Sequence, residues 1–251
     1  MMRIPLEDTL IDIIGKAQRG LNLPEIPEPK SEADILRVAA SLGLGADALL
    51  SIANGGYYPA NPGPIEGLVC FNTPFEDMTV NSYLVFDPKT KAAAAFDTGA
   101  DCSGMLEPEV KIGQIFLTHI HEDHVVDLAR LKEATGAKAY VSGREPIEGA
   151  EEFADGTAFS IGSLKVDTRR TSGHAKGGVT YVITGLAKPL AIVGDAIFAG
   201  SMGGGAVSYE EALRTNRQSI FTLPDNTVLC PGHGPLTTVG EEKRNNPFFS
   251  I

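Results

Sequence analysis

The chain has 251 residues, of which 43% are hydrophobic, with 28 glycines and 16 prolines. That is enough apolar mass for one ordinary domain with an appendage and too much for a disordered chain. The formal net charge is −11 with no basic block to neutralise a row of phosphates, which argues against a nucleic-acid partner, and no apolar run approaches the roughly 20 residues of a membrane-spanning helix.

The first residues, MMRIPLEDTLIDII, put acidic side chains ahead of a short apolar stretch and offer no small-residue cleavage site, so they do not read as a signal peptide. Residues 8–20 place Leu10, Ile11, Ile13 and Ile14 near helical spacing, with Gly20 as a stop. Ser31, followed by Glu32 and Asp34, opens a second helix through Leu42 with Ile35, Val38 and Leu42 on one stripe, and a short third helix covers 46–53. Short amphipathic helices are unstable alone, so these are expected to pack on the rest of the chain or to form a homodimer contact. The stretch NGGYYPANPGP at 54–64 reads as a linker. The expected division is a helical appendage with linker, 1–64, and a main domain, 65–251.

In the main domain, short apolar runs between turn signals predict strands at Ser82–Phe86, Ala92–Phe96, Gln114–Leu117, Gly178–Ile183, Leu190–Val193 and Thr227–Cys230. Helical patterns fall at 122–135, with Val125, Leu128, Ala129 and Leu131 as the apolar stripe, and at 209–221. Mixed segments of this kind mean an α/β or α+β layered domain. The three cysteines, Cys70, Cys102 and Cys230, show no CxxC spacing and read as reduced thiols of a cytoplasmic protein.

The informative feature is Thr118-His119-Ile120-His121-Glu122-Asp123-His124, between a predicted strand and a predicted helix. His119 and His121, two apart on an extended segment, point the same way, and Asp123 and His124 sit at the turn into the helix. Three nitrogens and a carboxylate delivered to one strand end suit a transition metal. The other two histidines have similar settings: His174 in TSGH and His233 in CPGHG, while Asp195 closes the apolar run LAIVGD. All five histidines therefore lie where a strand gives way to a loop, the usual place for chemistry in layered α/β sheets. Lys176, Tyr209 and the Arg169-Arg170 pair read as solvated surface, and Cys230 as core.

THIHEDH, TSGH, VGDAIFAGS and LCPGHGP, together with NSYLVFD and DTGAD, resemble the metallo-β-lactamase superfamily, and most its glyoxalase-II-like hydrolases, over roughly residues 66–251. The resemblance implies an α+β fold, a four-layer αββα sandwich with metals at one edge of two packed sheets. It implies that His119, His121 and His174 hold a first metal, that Asp123, His124 and His233 hold a second, that Asp195 bridges both, and that Asp97 in FDTGA stands beside the site. Two zinc ions per chain fit that ligand set, with iron or manganese tolerated. Two ions roughly 3.5–4 Å apart can share a hydroxide that attacks a carbonyl carbon, with Asp123 orienting it. The implied substrate is a small-molecule thioester, ester or lactone, with no nucleic-acid or membrane partner.

Asp195 departs from true β-lactamases of the family, which carry Cys or Ser at that position. Only 18 residues follow His233, so the helical C-terminal domain with which glyoxalase II binds glutathione has no counterpart, and glutathione-thioester specificity is not expected. The alternative activity is that of the persulfide dioxygenases, which use the same scaffold with one iron on two His and an Asp. A non-catalytic, metal-stabilised binding module is the third reading.

Overall fold

A computed structural model describes residues 4–250; residues 1–3 and 251, at the outer ends of the segments expected at 1–64 and 65–251, lie outside the described residues. The N-terminal helices are α1 (Leu10–Gly20), α2 (Glu32–Leu42) and α3 (Ala46–Ala53). Thr9 caps α1 in a reciprocal box with Asp12, and Ser31 caps α2 through the Asp34 amide; each satisfies an amide that the first helical turn leaves without a partner. The buried stripe of these helices (Ile13, Ile14, Ala17, Ile35, Val38, Leu42) packs with Met202, Tyr209, Ala212 and Phe248 from the rest of the chain. Ile11, expected on the stripe, is exposed.

Two six-stranded sheets follow, each with its strands adjacent in chain order. The first holds β1 (Leu68–Phe75), β2 (Met78–Phe86), β3 (Ala92–Phe96), β4 (Lys111–Phe116), β5 (Lys138–Ser142) and β6 (Glu151–Phe153). The second holds β7 (Ala158–Ile161), β8 (Leu164–Arg170), β9 (Val179–Thr184), β10 (Leu190–Gly194), β11 (Val228–Pro231) and β12 (Thr237–Thr238). Among the described residues the α-helices of this part are α4 (Glu122–Val125), α5 (Leu128–Thr135), α6 (Tyr209–Ser219) and α7 (Val239–Asn245).

The central strands are apolar on both faces, and side chains alternate between two different layers. Tyr83, Val85, Phe96 and Phe116 meet Val166, Tyr181, Ile183, Ile192 and Cys230 between the sheets. Their chain neighbours Leu84, Ala95, Ile115 and Leu117 turn outward to Leu128 and Leu131 of α5, while Ala191, Val193 and Leu229 turn outward to Ile220 and Val239. Helix, sheet, sheet, helix is thus the layer order, and each fully buried large apolar side chain contributes about 1.5–3 kcal/mol.

The single helix expected at 122–135 is two. The His124 carbonyl, which an unbroken helix would offer to the Leu128 amide, accepts from the Thr98 amide at 2.9 Å and the Thr98 hydroxyl at 3.1 Å. The turn at Val126–Asp127 leaves Ala129 exposed rather than in the stripe. Among the described residues, no helix is long and apolar enough to cross a membrane.

Candidate metal centre

Because β3 runs parallel to β4 and β10 parallel to β11, their C-terminal ends open at shared edges. The two sheets are tied together there: the Tyr181 hydroxyl donates to the Leu117 carbonyl at 2.7 Å, and the Tyr83 hydroxyl to the Pro231 carbonyl at 2.6 Å. Asp97 follows β3, His119 follows β4, His174 follows β8, Asp195 follows β10 and His233 follows β11. Sequence positions spanning more than a hundred residues thereby meet at one rim.

The seven residues singled out in the sequence converge in two groups. His119, His121, His174 and Asp195 form one, and Asp123, His124 and His233 the other, each with its donor atoms within 4.8 Å of one another. In the first, His121 Nδ1 lies 3.1 Å from both His119 Nε2 and His174 Nε2, and Asp195 Oδ2 lies 3.4 Å from His174 Nε2 and 4.0 Å from His119 Nε2. In the second, Asp123 Oδ2 is 3.2 Å from His233 Nε2 and 3.4 Å from His124 Nε2. Asp195 reaches this group as well, with Oδ2 3.4 Å from His233 Nε2 and Oδ1 3.3 Å from His124 Nε2. Ligands about 2.1 Å from a tetrahedral ion stand about 3.4 Å apart, so the observed spacing suits one ion in each group.

Hydrogen bonds on the far side of the rings fix which nitrogen faces inward. His174 Nδ1 donates to the Gly204 carbonyl at 2.9 Å and His233 Nδ1 to the Thr79 carbonyl at 2.8 Å. His124 Nδ1 donates to Asp97 Oδ2 at 2.9 Å. Thr118 gives its hydroxyl proton to Asp97 at 2.7 Å, so its oxygen accepts from His119 Nδ1 at 3.0 Å. Four imidazoles therefore turn Nε2 inward, the nitrogen that could serve a metal. Two of the atoms so aimed, His124 Nε2 and Asp195 Oδ1, are buried without a hydrogen-bond partner although they face each other. Such atoms are costly to leave unsatisfied, and a cation between them removes the cost. The residues present fit a metal centre.

Electrostatics agree. Burial drives His119 well below its ordinary value, helped by neighbouring His124. Burial also opposes charge on His124, but Asp195 and Asp97 overcome it and hold that group up to about 10. His233 follows the same pattern, with Asp195 and Asp123 raising it to about 11. Burial would raise Asp195, yet His124 and His233 hold it well below the usual carboxylate range. The pocket attracts positive charge, and without metal a proton occupies that role.

Asp97, expected beside the site, braces it from beneath, taking the Thr118 amide at 2.7 Å as well as the Thr118 hydroxyl and His124. Tyr209, read as solvated surface, is instead buried against Phe248 in the layer under the N-terminal helices. Arg169 and Arg170 are tied to the Ser219 carbonyl and to Glu211, Lys176 lies exposed, and Cys230 is fully buried between the sheets. Thr118 was quoted only as the first residue of its motif, and the carbonyls of Thr79 and Gly204 were missed because backbone acceptors leave no mark in side-chain identity. Gly232 was quoted only as part of a motif; a Cβ there would stand 2.6 Å from the His124 ring, so nothing larger fits.

Comparison with known proteins points the same way. Hydroxyacylglutathione hydrolase GloC of Haemophilus influenzae is 26% identical over 199 residues, covering 68% of this chain and 92% of the relative. Among solved structures, ETHE1 from Myxococcus xanthus superposes with a TM-score of 0.61 at 25% identity, covering 71% of this chain and 83% of that one. TTHA1623, solved in a di-iron-bound form, gives a TM-score of 0.58 at 25% identity over 71% of this chain and 99% of its own. The sequence pattern of one family spans residues 76–233, from the β1–β2 hairpin to the last histidine of the site. The chain belongs to the metallo-beta-lactamase superfamily.

Proposed function

We propose that this chain is a dinuclear metal-dependent hydrolase acting on a small-molecule thioester, ester or lactone. The observation that carries the reading is Asp195, whose two carboxylate oxygens face donor atoms of both groups. In the proposal, His119, His121 and His174 hold one ion, Asp123, His124 and His233 hold the other, and Asp195 is shared. Zinc is the first candidate for both places; iron and manganese fit the same donors, and the di-iron form of TTHA1623 supports that tolerance. When bound, such ions bring the pKa of a water toward about 7 and polarise a carbonyl oxygen.

The protein's own groups do the rest. The anchored Nδ1 protons hold the imidazoles in one tautomer, so no ring has to turn as the reaction proceeds. Asp123 is the least buried member of the second group and can orient an attacking water and take its proton. His121 is the exposed member of the first group, which leaves that side of the centre open to substrate. Similarity to GloC supports a thioester as substrate class.

A mononuclear-iron persulfide dioxygenase is the second reading, and ETHE1 as a structural neighbour keeps it in view. It requires only two histidines and one aspartate, and would leave the second group of Asp123, His124 and His233 without an ion. Elemental analysis of protein purified without added metal separates the two. Two ions per chain, with chelator-sensitive hydrolysis across a panel of thioesters, aryl esters and lactones, is the expected result. One tightly bound iron per chain, with oxygen consumed on addition of glutathione persulfide, would replace the hydrolase with the dioxygenase.

A further inference from the structure

The loop between β10 and α6 carries Asp195 and is gripped from its far side by the N-terminal segment. Lys16, in α1, donates to the Met202 carbonyl at 2.9 Å and pairs with the Asp8 carboxylate, which also accepts the Ser201 hydroxyl. The two side chains are 15% and 7% exposed, so this is not a loose surface pair. The Lys16 ammonium stands 5.0 Å from the centroid of the Phe198 ring, and that ring packs edge-on against His233 at 5.6 Å. Phe198 and Ser201 close the loop on itself through two backbone hydrogen bonds.

The residues immediately after Met202 touch the metal centre. The Gly203 amide donates to the Asp195 carbonyl at 3.1 Å. Gly203 also lies so close to His174 that a Cβ would stand 2.8 Å from its Nδ1. The Gly204 carbonyl then takes the His174 Nδ1 proton. Other ties reach the loop at Gly200, whose amide donates to Glu242, and at Ser201, whose carbonyl accepts from Asn246. Lys16 holds the carbonyl nearest to the ligand-bearing end.

We propose that Lys16, with Asp8, is a positioning residue: it fixes the segment Phe198–Gly204 and through it the orientation of Asp195, His174 and His233. The N-terminal helices are then part of the metal centre rather than an addition to it. The proposal takes its ligand set from the dinuclear reading above but does not depend on which bond is hydrolysed. It also explains why a lysine, which is rarely buried, sits in this layer at all.

The test compares Lys16→Met with Lys16→Arg, and with Val38→Ala as a control that thins the same helical layer while removing no hydrogen bond to the loop. Zinc affinity is measured by competition with a chromogenic chelator, and the imidazole Nδ1–H resonances are followed by NMR in the metal-free protein. Lys16→Met is expected to weaken zinc binding roughly 10- to 100-fold and to shift the His174 signal. Lys16→Arg should restore wild-type affinity, and Val38→Ala should lower only the melting temperature. Wild-type zinc affinity in Lys16→Met, or an equal loss in Val38→Ala, overturns the proposal. Should Lys16→Met not fold, Asp8→Asn takes its place under the same two criteria. Zinc affinity is read without substrate, so a failure to find hydrolysis counts against the functional reading alone.

Discussion

Replacing Asp97 with asparagine removes one charge from beneath the metal centre while keeping shape and volume. Asp97 sits at φ 55°, in the left-handed region; asparagine tolerates that conformation about as well as aspartate, so the backbone stays put. Its Oδ1 takes the Thr118 amide, and its Oδ2 takes both the Thr118 hydroxyl and His124 Nδ1. An amide has only one acceptor oxygen. With that oxygen on the Thr118 amide, the new NH2 group faces the Nδ1–H of His124, and the imidazole must move or shift its proton to Nε2. Either response spoils the lone pair aimed at the metal. A hydrogen bond to a charged group is worth about 1.5–3 kcal/mol, and each 1.4 kcal/mol is about tenfold in affinity. Asp97→Asn should therefore bind its second ion roughly 10- to 100-fold more weakly, as is typical when a ligand's outer partner is lost. Chelator competition with zinc measures this directly, with the wild type in the same buffer as reference, and circular dichroism should show an intact fold. If Asp97→Asn retains both ions at wild-type affinity, the brace assigned to Asp97 does not exist.

Asp195→Asn removes the carboxylate facing both donor groups, so it should lose at least one ion per chain and several orders of magnitude in turnover while the sheets persist; full metal content with near-normal turnover would show that Asp195 is not shared. Zinc binding should also depend on pH with a definite sign. In the metal-free protein His124 and His233 are held up to about 10 and about 11, above the ordinary 6.5. Their protons add stability that is fully present below pH 6.5 and fades as pH rises through those values. Metal must expel them, so affinity should tighten from about pH 7 to about pH 9, with protons released to the buffer in calorimetry. An affinity flat across that interval would contradict the assignment.

Much of this was legible in the sequence for identifiable reasons. β3, β10, β11 and the last residues of β4 are apolar on both faces because helices cover the sheets from outside, and such runs stand out. β1 and β8 do not, since LVCFNTPF is nowhere fully buried and LKVDTRR alternates buried positions with more exposed ones, and both read as strands only once paired. His119, His174, His233 and Asp195 could be found because each follows a strand, and His121 and His124 because they crowd behind His119 at the start of α4. The break between α4 and α5 could not, because the Thr98 that takes the His124 carbonyl is a long way off in sequence. Lys16 lies 186 residues from the carbonyl it holds, and no local pattern reports such a pair.

The packing of the N-terminal helices also sets an order of events during synthesis. Their apolar stripe is completed by Tyr209 and Ala212 of α6 and by Phe248, some two hundred residues further along. A chain emerging N-terminus first, at about 5–20 residues per second, exposes Ile13, Ile14, Val38 and Leu42 long before those partners leave the ribosome. His233 emerges late as well, so neither the helical layer nor the metal-binding rim can close until Phe248 and His233 have both been made. Loading of the complete centre then waits for His233, and until Phe248 follows it the helices hold their apolar stripe without its partners.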